Sequence, residues 1–300
     1  MRTAAVFGLS VLLSLICSPG PAAGQSNSPG TSSPPVLGKL VDVGGYRVHL
    51  YCTGEGTPAV VIVGAGFSFD WGLVQPEVAK FTQVCAYDHS GIGWSDDGPK
   101  DSCSLRVSEV HTALKNAGIK GPYLLVGHSL GGLVARVYAG RFPEEVAGMV
   151  FVDHSPPRSP KPRTPAGSGK LPSGGIESDP NFSRLSARDR ELHLWAIEQP
   201  RLEKALEENH EMMPGCIEEA DAMFKGENHP LGDKPLVDVS TDQHRSLDYV
   251  NFQGRLLSLS QNSKEMVAEN SSHLVIIDRP DVVIDAISRV VRSVRSNSRL

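Results

Sequence analysis

The chain predicts an α/β domain: a mostly parallel sheet with helices on both faces and one long insertion. Three observations predict it. Apolar runs suited to buried strands alternate with stretches of helical periodicity. One such run, Tyr123-Leu124-Leu125-Val126, enters Gly127-His128-Ser129-Leu130-Gly131 and passes at once into a helical pattern. Finally, the alternation stops near Pro156 and resumes only at Lys234-Pro235-Leu236-Val237.

Arg2 precedes an apolar run from Ala4 to Ile16, and small residues at Ala22 and Gly24 suit cleavage near Gln25. Residues 1–24 therefore read as a signal peptide, too short to span a bilayer comfortably. Export with cleavage is preferred to lipidation at Cys17, because Ile16 stands where that processing wants a small side chain. Residues 25–35 are rich in Ser, Pro, Gly and Asn and read as a disordered leader.

The core is expected over residues 36–155 and 233–300. Val36–Val43 and Tyr46–Cys52 form a hairpin pattern around Gly44-Gly45. Ala59–Val63 is continuously apolar, as in a strand covered on both faces. A helix over Trp71–Lys80 and a strand over Phe81–Tyr87 come next. A second helix points Val107, Val110, Leu114 and Ala117 inward and closes at Gly118. The Ser129 strand and helix lead to a strand over Val146–Asp153. Residues 156–232 form the insertion: first Pro/Gly/Ser-rich, then charged and helix-forming over Ser183–Met213. It is expected to cover the strand ends as a helical lid, with Leu192, Trp195, Leu202 and Leu206 packing on something. Gln243–Ser260 reads as helix and Glu265–Glu269 as a short strand. Pro280–Arg295 is an amphipathic helix with Val283, Ile287, Val290, Val291 and Val294 inward.

In 300 residues, a 40% hydrophobic share and a 21% charged share are ordinary for a globular chain. Net charge of -5 without a basic, aromatic-bearing cluster argues against nucleic-acid binding. Export would remove Cys17 and leave Cys52, Cys85, Cys103 and Cys216, enough for two disulfides in any of three connectivities. Their spacing fits no metal site, and no cofactor is expected.

The chemistry is expected at the strand-to-helix turn. Leu130, Leu133, Val134, Val137 and Tyr138 lie on one helix face, so Ser129 sits in a sharp turn that presents its hydroxyl. Gly127 and Gly131 are small because neighbouring chain passes close by. A serine hydroxyl needs a base within hydrogen-bond reach. Of ten histidines, His49 and His111 lie inside regular elements, and His128 should point away if Ser129 points out. His193, His210 and His229 belong to the insertion. His273 follows the last strand in Ser271-Ser272-His273, where loops at the carboxyl ends of parallel strands converge. It is the chosen base.

A carboxylate must hold that base in the correct tautomer. Asp153 ends the strand after the Ser129 helix, and Asp242 follows the next strand. Asp242 could instead cap the helix it precedes, with Arg245 completing a local pair, so Asp153 is preferred. Oxyanion donors are expected from the N–H groups of Leu130 and Phe67, the latter in the Gly64-Ala65-Gly66-Phe67 turn.

Val126-Gly127-His128-Ser129-Leu130-Gly131-Gly132, the Gly64–Phe67 turn, Tyr87–Ser95 and Ser272-His273 ahead of Pro280 together resemble the α/β-hydrolase superfamily over about residues 38 to 297. More narrowly, the chain is similar to exported bacterial members. Those usually carry Arg where this chain has His89, and Ser-Gly-His where it has Ser271-Ser272-His273. The resemblance implies an eight-stranded sheet of order 1-2-4-3-5-6-7-8. From that order follow Cys52–Cys85 across neighbouring strands and Cys103–Cys216 tying the lid to the core. Some members place the acid after the sixth strand, which favours Asp153. Relatives that open epoxides or haloalkanes use Asp where Ser129 stands.

The expected function is an exported serine hydrolase acting on a carboxylic ester or related acyl bond of a small molecule through Ser129, His273 and Asp153. Peptidase action and perhydrolysis could use the same residues. The alternative from another class is a binding protein that kept the pocket and lost turnover.

Overall fold

A hairpin opens the sheet. β1 (Lys39–Asp42) and β2 (Arg47–Thr53) pair antiparallel, turning at Gly44 and Gly45, both at positive φ. In the computed structural model, residues 1, 33–64, 66–154, 175–243 and 246–300 are described. The expected signal peptide, most of the leader and the Pro/Gly-rich start of the insertion lie outside them. Val36–Leu300 forms one compact unit, and Met1–Pro35 is a separate one.

β3 (Val60–Val63), β4 (Val84–Asp88), β5 (Tyr123–His128), β6 (Val146–Val152), β7 (Leu236–Thr241) and β8 (Ser263–Ala268) complete an eight-stranded sheet. Its order is β1-β2-β4-β3-β5-β6-β7-β8, as the resemblance implied. All pairs from β4 to β8 are parallel. Successive side chains of a strand point to opposite faces, so each buried strand feeds two cores. Val61, Val63, Cys85 and Leu125 join a cluster with α2 (Cys103–Asn116) and α3 (Leu130–Arg141). Val60, Ile62, Ala86, Leu124 and Val126 join one with α8 (Pro280–Ser296). On α8, Val283, Ile287, Val290 and Val291 are buried as the periodicity predicts. Each such side chain contributes roughly 1.5–3 kcal/mol.

The helix expected over Trp71–Lys80 is broken into a 3-10 turn, Ser68–Trp71, and α1 (Gln75–Val78). Gly72 separates them. A Cβ there would collide with the Asp189 carboxylate and lie 3.3 Å from Leu185, so this glycine lets the insertion pack closely. Pro76 then restarts the helix in its first turn. The following strand accordingly begins at Val84 rather than Phe81.

Between β6 and β7, the described part of the insertion carries α4 (Ala187–Ile197) and α5 (Arg201–Ala222). α5 continues through Pro214, past the Met213 end that the sequence suggested. Its far end is anchored where Cys216 bonds Cys103 on α2, and Cys52 bonds Cys85 across β2 and β4. Leu192 and Leu202 are buried with Phe67, Phe69, Ile92 and Trp94, and Trp195 packs against them. Leu206 stays exposed at 38%. α6 (Leu247–Leu257) follows β7, α7 (Val275–Asp278) follows β8, and α8 ends the fold.

Candidate active site

The β5 strand is buried throughout, and its end places Ser129 at φ 54, ψ -122, a region L-residues rarely occupy. Neighbouring main chain holds it there. A Cβ on Gly127 would lie 2.7 Å from Gly132 Cα, and one on Gly131 would collide with the Val63 carbonyl. Only glycine permits those approaches. The Ser129 N–H donates to Val152 O at 3.2 Å, and its carbonyl accepts the Gly132 N–H at 3.0 Å.

A further support was not anticipated from sequence. His154 Nδ1–H donates to the Ser129 carbonyl at 3.0 Å. Burial pushes His154 down to about 3, keeping the ring neutral. A Cβ on Gly132 would collide with this imidazole. The only sequence signal for His154 is its place directly after Asp153.

Asp153 follows β6 at φ 39, its N–H donating to Val239 O at 2.7 Å. His273 lies in the loop after β8, and its Nδ1–H donates to Asp153 Oδ2 at 2.5 Å. The Asp153 side chain is 6% exposed and that of His273 48%. Tyr249 on α6 donates its hydroxyl to Asp153 Oδ1 at 2.9 Å. Burial pushes the Asp153 carboxyl up, but the hydrogen bonds from His273 and Tyr249 outweigh it and leave it below the ordinary value. With Nδ1–H committed to the carboxylate, Nε2 of a neutral His273 ring is the basic nitrogen.

Asp242, the competing acid, is elsewhere engaged: both its oxygens accept the Asn270 N–H at 3.1 Å. Nor does it cap α6, whose cap is Ser246, accepting the Tyr249 N–H at 3.2 Å. Arg245 lies outside the described residues.

Two expectations need correction. His128 does not turn away from the site. Its Nε2–H donates to the His273 carbonyl at 3.0 Å, with the two rings 4.9 Å apart. Burial lowers His128 to about 4, so a neutral ring braces the His273 loop. The Phe67 N–H is not an open oxyanion donor, because it donates to Asp70 Oδ2 at 3.0 Å. A carboxylate is a strong acceptor, and it comes from the 3-10 turn just after Gly64-Ala65-Gly66-Phe67.

A cavity of about 420 Å³ is lined by Gly66, Phe67, His128, His273, Ile176 and Leu202, among others. Its walls come from the core and from the insertion. His89 also lines it; its Nδ1–H donates to Ser90 O at 2.8 Å, and burial pushes it well below the ordinary histidine value. The loop therefore presents a neutral ring where similar chains usually have an arginine. Among the described residues no cluster of His, Cys, Asp and Glu is arranged to hold a metal ion.

The strand order, with a strained serine between strand and helix and an Asp-held histidine after the last strand, is that of the α/β-hydrolase fold. A family model described as the alpha/beta hydrolase fold matches residues 58–192, and the chain has that fold. It is similar to an uncharacterised Schizosaccharomyces pombe protein, 34% identical over 131 residues, 43% of this chain and 24% of that one. A Bacillus subtilis protein, also uncharacterised, is 26% identical over 254 residues, 82% of this chain and 88% of its own length. The 2-hydroxymuconate semialdehyde hydrolase of a Pseudomonas species is 35% identical over 133 residues, 42% of this chain and 46% of that enzyme. Thus the chain spans less than half the length of two of these relatives. A laboratory-evolved potato epoxide hydrolase shares the fold, with TM-score 0.66, 17% identity and coverage of 85% and 98% of the two chains.

Proposed function

We propose that this chain is an exported serine hydrolase that cleaves a carboxylic ester or related acyl bond through an acyl-enzyme on Ser129. The observation that carries the reading is the 2.5 Å bond from His273 Nδ1 to the buried Asp153 carboxylate, at the sheet edge that bears the strained Ser129. Nε2 of His273 takes the Ser129 Oγ proton as oxygen attacks the acyl carbon, then returns it to the departing alcohol. Water enters by the same base and releases the acid. Charge on the tetrahedral oxygen is met by the Leu130 N–H at the start of α3 and by the Gly66 N–H, one residue before the occupied Phe67 amide. Serine at position 129 supports this over epoxide opening, which in similar chains begins from a carboxylate nucleophile. Two disulfides support an oxidising compartment. Residues 156–232 act as the lid in this reading.

Purified protein without residues 1–24 should release p-nitrophenol from a short acyl ester, and Ser129→Ala should reduce turnover by ~10³-fold or more. It should also take up one equivalent of a fluorophosphonate at Ser129. Equal turnover by both proteins, or wild type that stays unlabelled, would leave a binding protein in place of an enzyme.

A further inference from the structure

Three more ionisable side chains line the cavity: Asp70, Glu177 and His193. Asp70 belongs to the 3-10 turn after β3. Glu177 and His193 belong to the insertion, on a 3-10 turn (Ile176–Ser178) and on α4. His193 Nδ1 lies 2.8 Å from Asp70 Oδ1, and its Nε2 lies 3.0 Å from Glu177 Oε2. Carboxylate acceptors at both ring nitrogens favour a doubly protonated ring, and the Asp70 and Glu177 bonds hold His193 above its ordinary value despite burial. The side chains of Asp70 and His193 are each 5% exposed.

Asp70 Oδ2 is the oxygen that accepts the Phe67 N–H at 3.0 Å. Hydrogen bonds therefore run from α4 through an imidazole and a carboxylate to the main chain of the turn after β3. That turn abuts the elbow, since a Cβ on Gly131 would stand 3.3 Å from Gly64 N. The carboxylate enters only because residue 66 is glycine: a Cβ there would lie 2.6 Å from Asp70 Oδ2. Burying a charge is costly unless it is paired and hydrogen-bonded, and simple packing of this wall needs no charge.

From this geometry we infer that Asp70 and His193 are positioning residues for the oxyanion turn. The insertion, through His193, fixes the carboxylate that holds the Gly66–Phe67 peptide, and so restrains Gly66, whose own N–H is the donor, only while α4 is seated. The inference rests on the acyl-enzyme reading above. Neither residue touches the reacting atoms, so their effect belongs to the charged transition state and not to substrate binding.

The test compares Asp70→Asn, His193→Asn and His193→Leu on the p-nitrophenyl ester. It also compares inhibition by a trifluoromethyl ketone, which Ser129 would add to as a tetrahedral oxyanion, with that by the matching carboxylic acid. Asp70→Asn should lower kcat by ~10- to 100-fold with KM within about threefold, the size of a lost bond to a charged group. The trifluoromethyl ketone should weaken by the same factor and the acid should not. His193→Asn, which can keep a donor near the Nδ1 position, should retain most activity, whereas His193→Leu should match Asp70→Asn. Equal weakening of both inhibitors, or wild-type kcat in Asp70→Asn, overturns the inference while leaving the acyl-enzyme intact. If Asp70→Asn fails to fold, equal kcat for the two His193 variants overturns it. Wild type lacking both turnover and fluorophosphonate labelling removes the acyl-enzyme reading and this inference together.

Discussion

Tyr249 gives its hydroxyl to the one oxygen of Asp153 that His273 leaves open. The bonds are 2.9 Å to Oδ1 and 2.5 Å to Oδ2, so a carboxylate at the end of β6 is held by α6 on one side and the β8 loop on the other. Two donors on a buried carboxylate keep it ionised and fix its plane. Tyr249→Phe removes one donor while nearly conserving shape. It should lower kcat about tenfold, since a hydrogen bond to a charged group is worth roughly 1.5–3 kcal/mol. A depressed carboxyl contributes while pH stays above its folded value and fails as pH falls through it. Losing Tyr249 raises that value, so the variant's deficit should be larger at pH 5 than at pH 8. A deficit independent of pH would argue against this role.

The two carboxylates that competed in the sequence should separate cleanly. Asp153→Asn cannot hold the His273 tautomer and should lose ~10³- to 10⁴-fold in kcat. Asp242→Asn changes only the partner of the Asn270 N–H. Its kcat should stay within about threefold of wild type. The opposite ranking would return the acid's role to Asp242.

Cys103 and Cys216 are 113 residues apart, and their bond ties α2 to α5. On the chain-entropy account, closing a loop of that length stabilises by about 4–5 kcal/mol. Replacing both by serine should therefore lower the urea midpoint strongly, with a larger effect than replacing Cys52 and Cys85, separated by 33 residues. Equal midpoints for wild type and the Cys103/Cys216 double variant would show that the insertion is held by packing alone.

His193 faces Asp70 from the core and Glu177 from the insertion, with the rings of Phe67 and Phe182 edge-on at 5.6 and 5.3 Å. Its raised value means it binds its proton more tightly folded than unfolded. That stability is fully present below the unfolded value near 6.5 and is lost as pH rises through the folded one. The melting-temperature gap between wild type and His193→Asn should be widest near pH 5–6 and close above neutrality. A gap that widens with pH would mean the ring is buried neutral.

Local patterns were legible where one physical signal sufficed. The continuous Val60–Val63 run, the glycines around Ser129 and the stripe of Val283, Ile287, Val290 and Val291 each record burial or close approach in neighbouring residues. Gly72 misled because its purpose is contact with Asp189 on α4, far along the chain. His128 misled for a related reason. Alternation along β5 suggested that its side chain leaves the site, but the His273 carbonyl that it grips comes from a loop 145 residues on.

By itself the sequence determined the doubly covered sheet, the serine at its elbow and the histidine after its last strand. Those features follow from strand and helix periodicity and from where a parallel sheet gathers its loops. Only the tertiary structure decided that His273 pairs with Asp153 and not Asp242, that Phe67 gives its N–H to Asp70, and that Tyr249, His154 and His193 stand behind them. Each is a directional hydrogen bond about 3 Å or less in length, and all but the local Phe67–Asp70 bond join segments distant in the chain. Such a bond depends on where packing places two side chains, and periodicity along one segment carries no record of it.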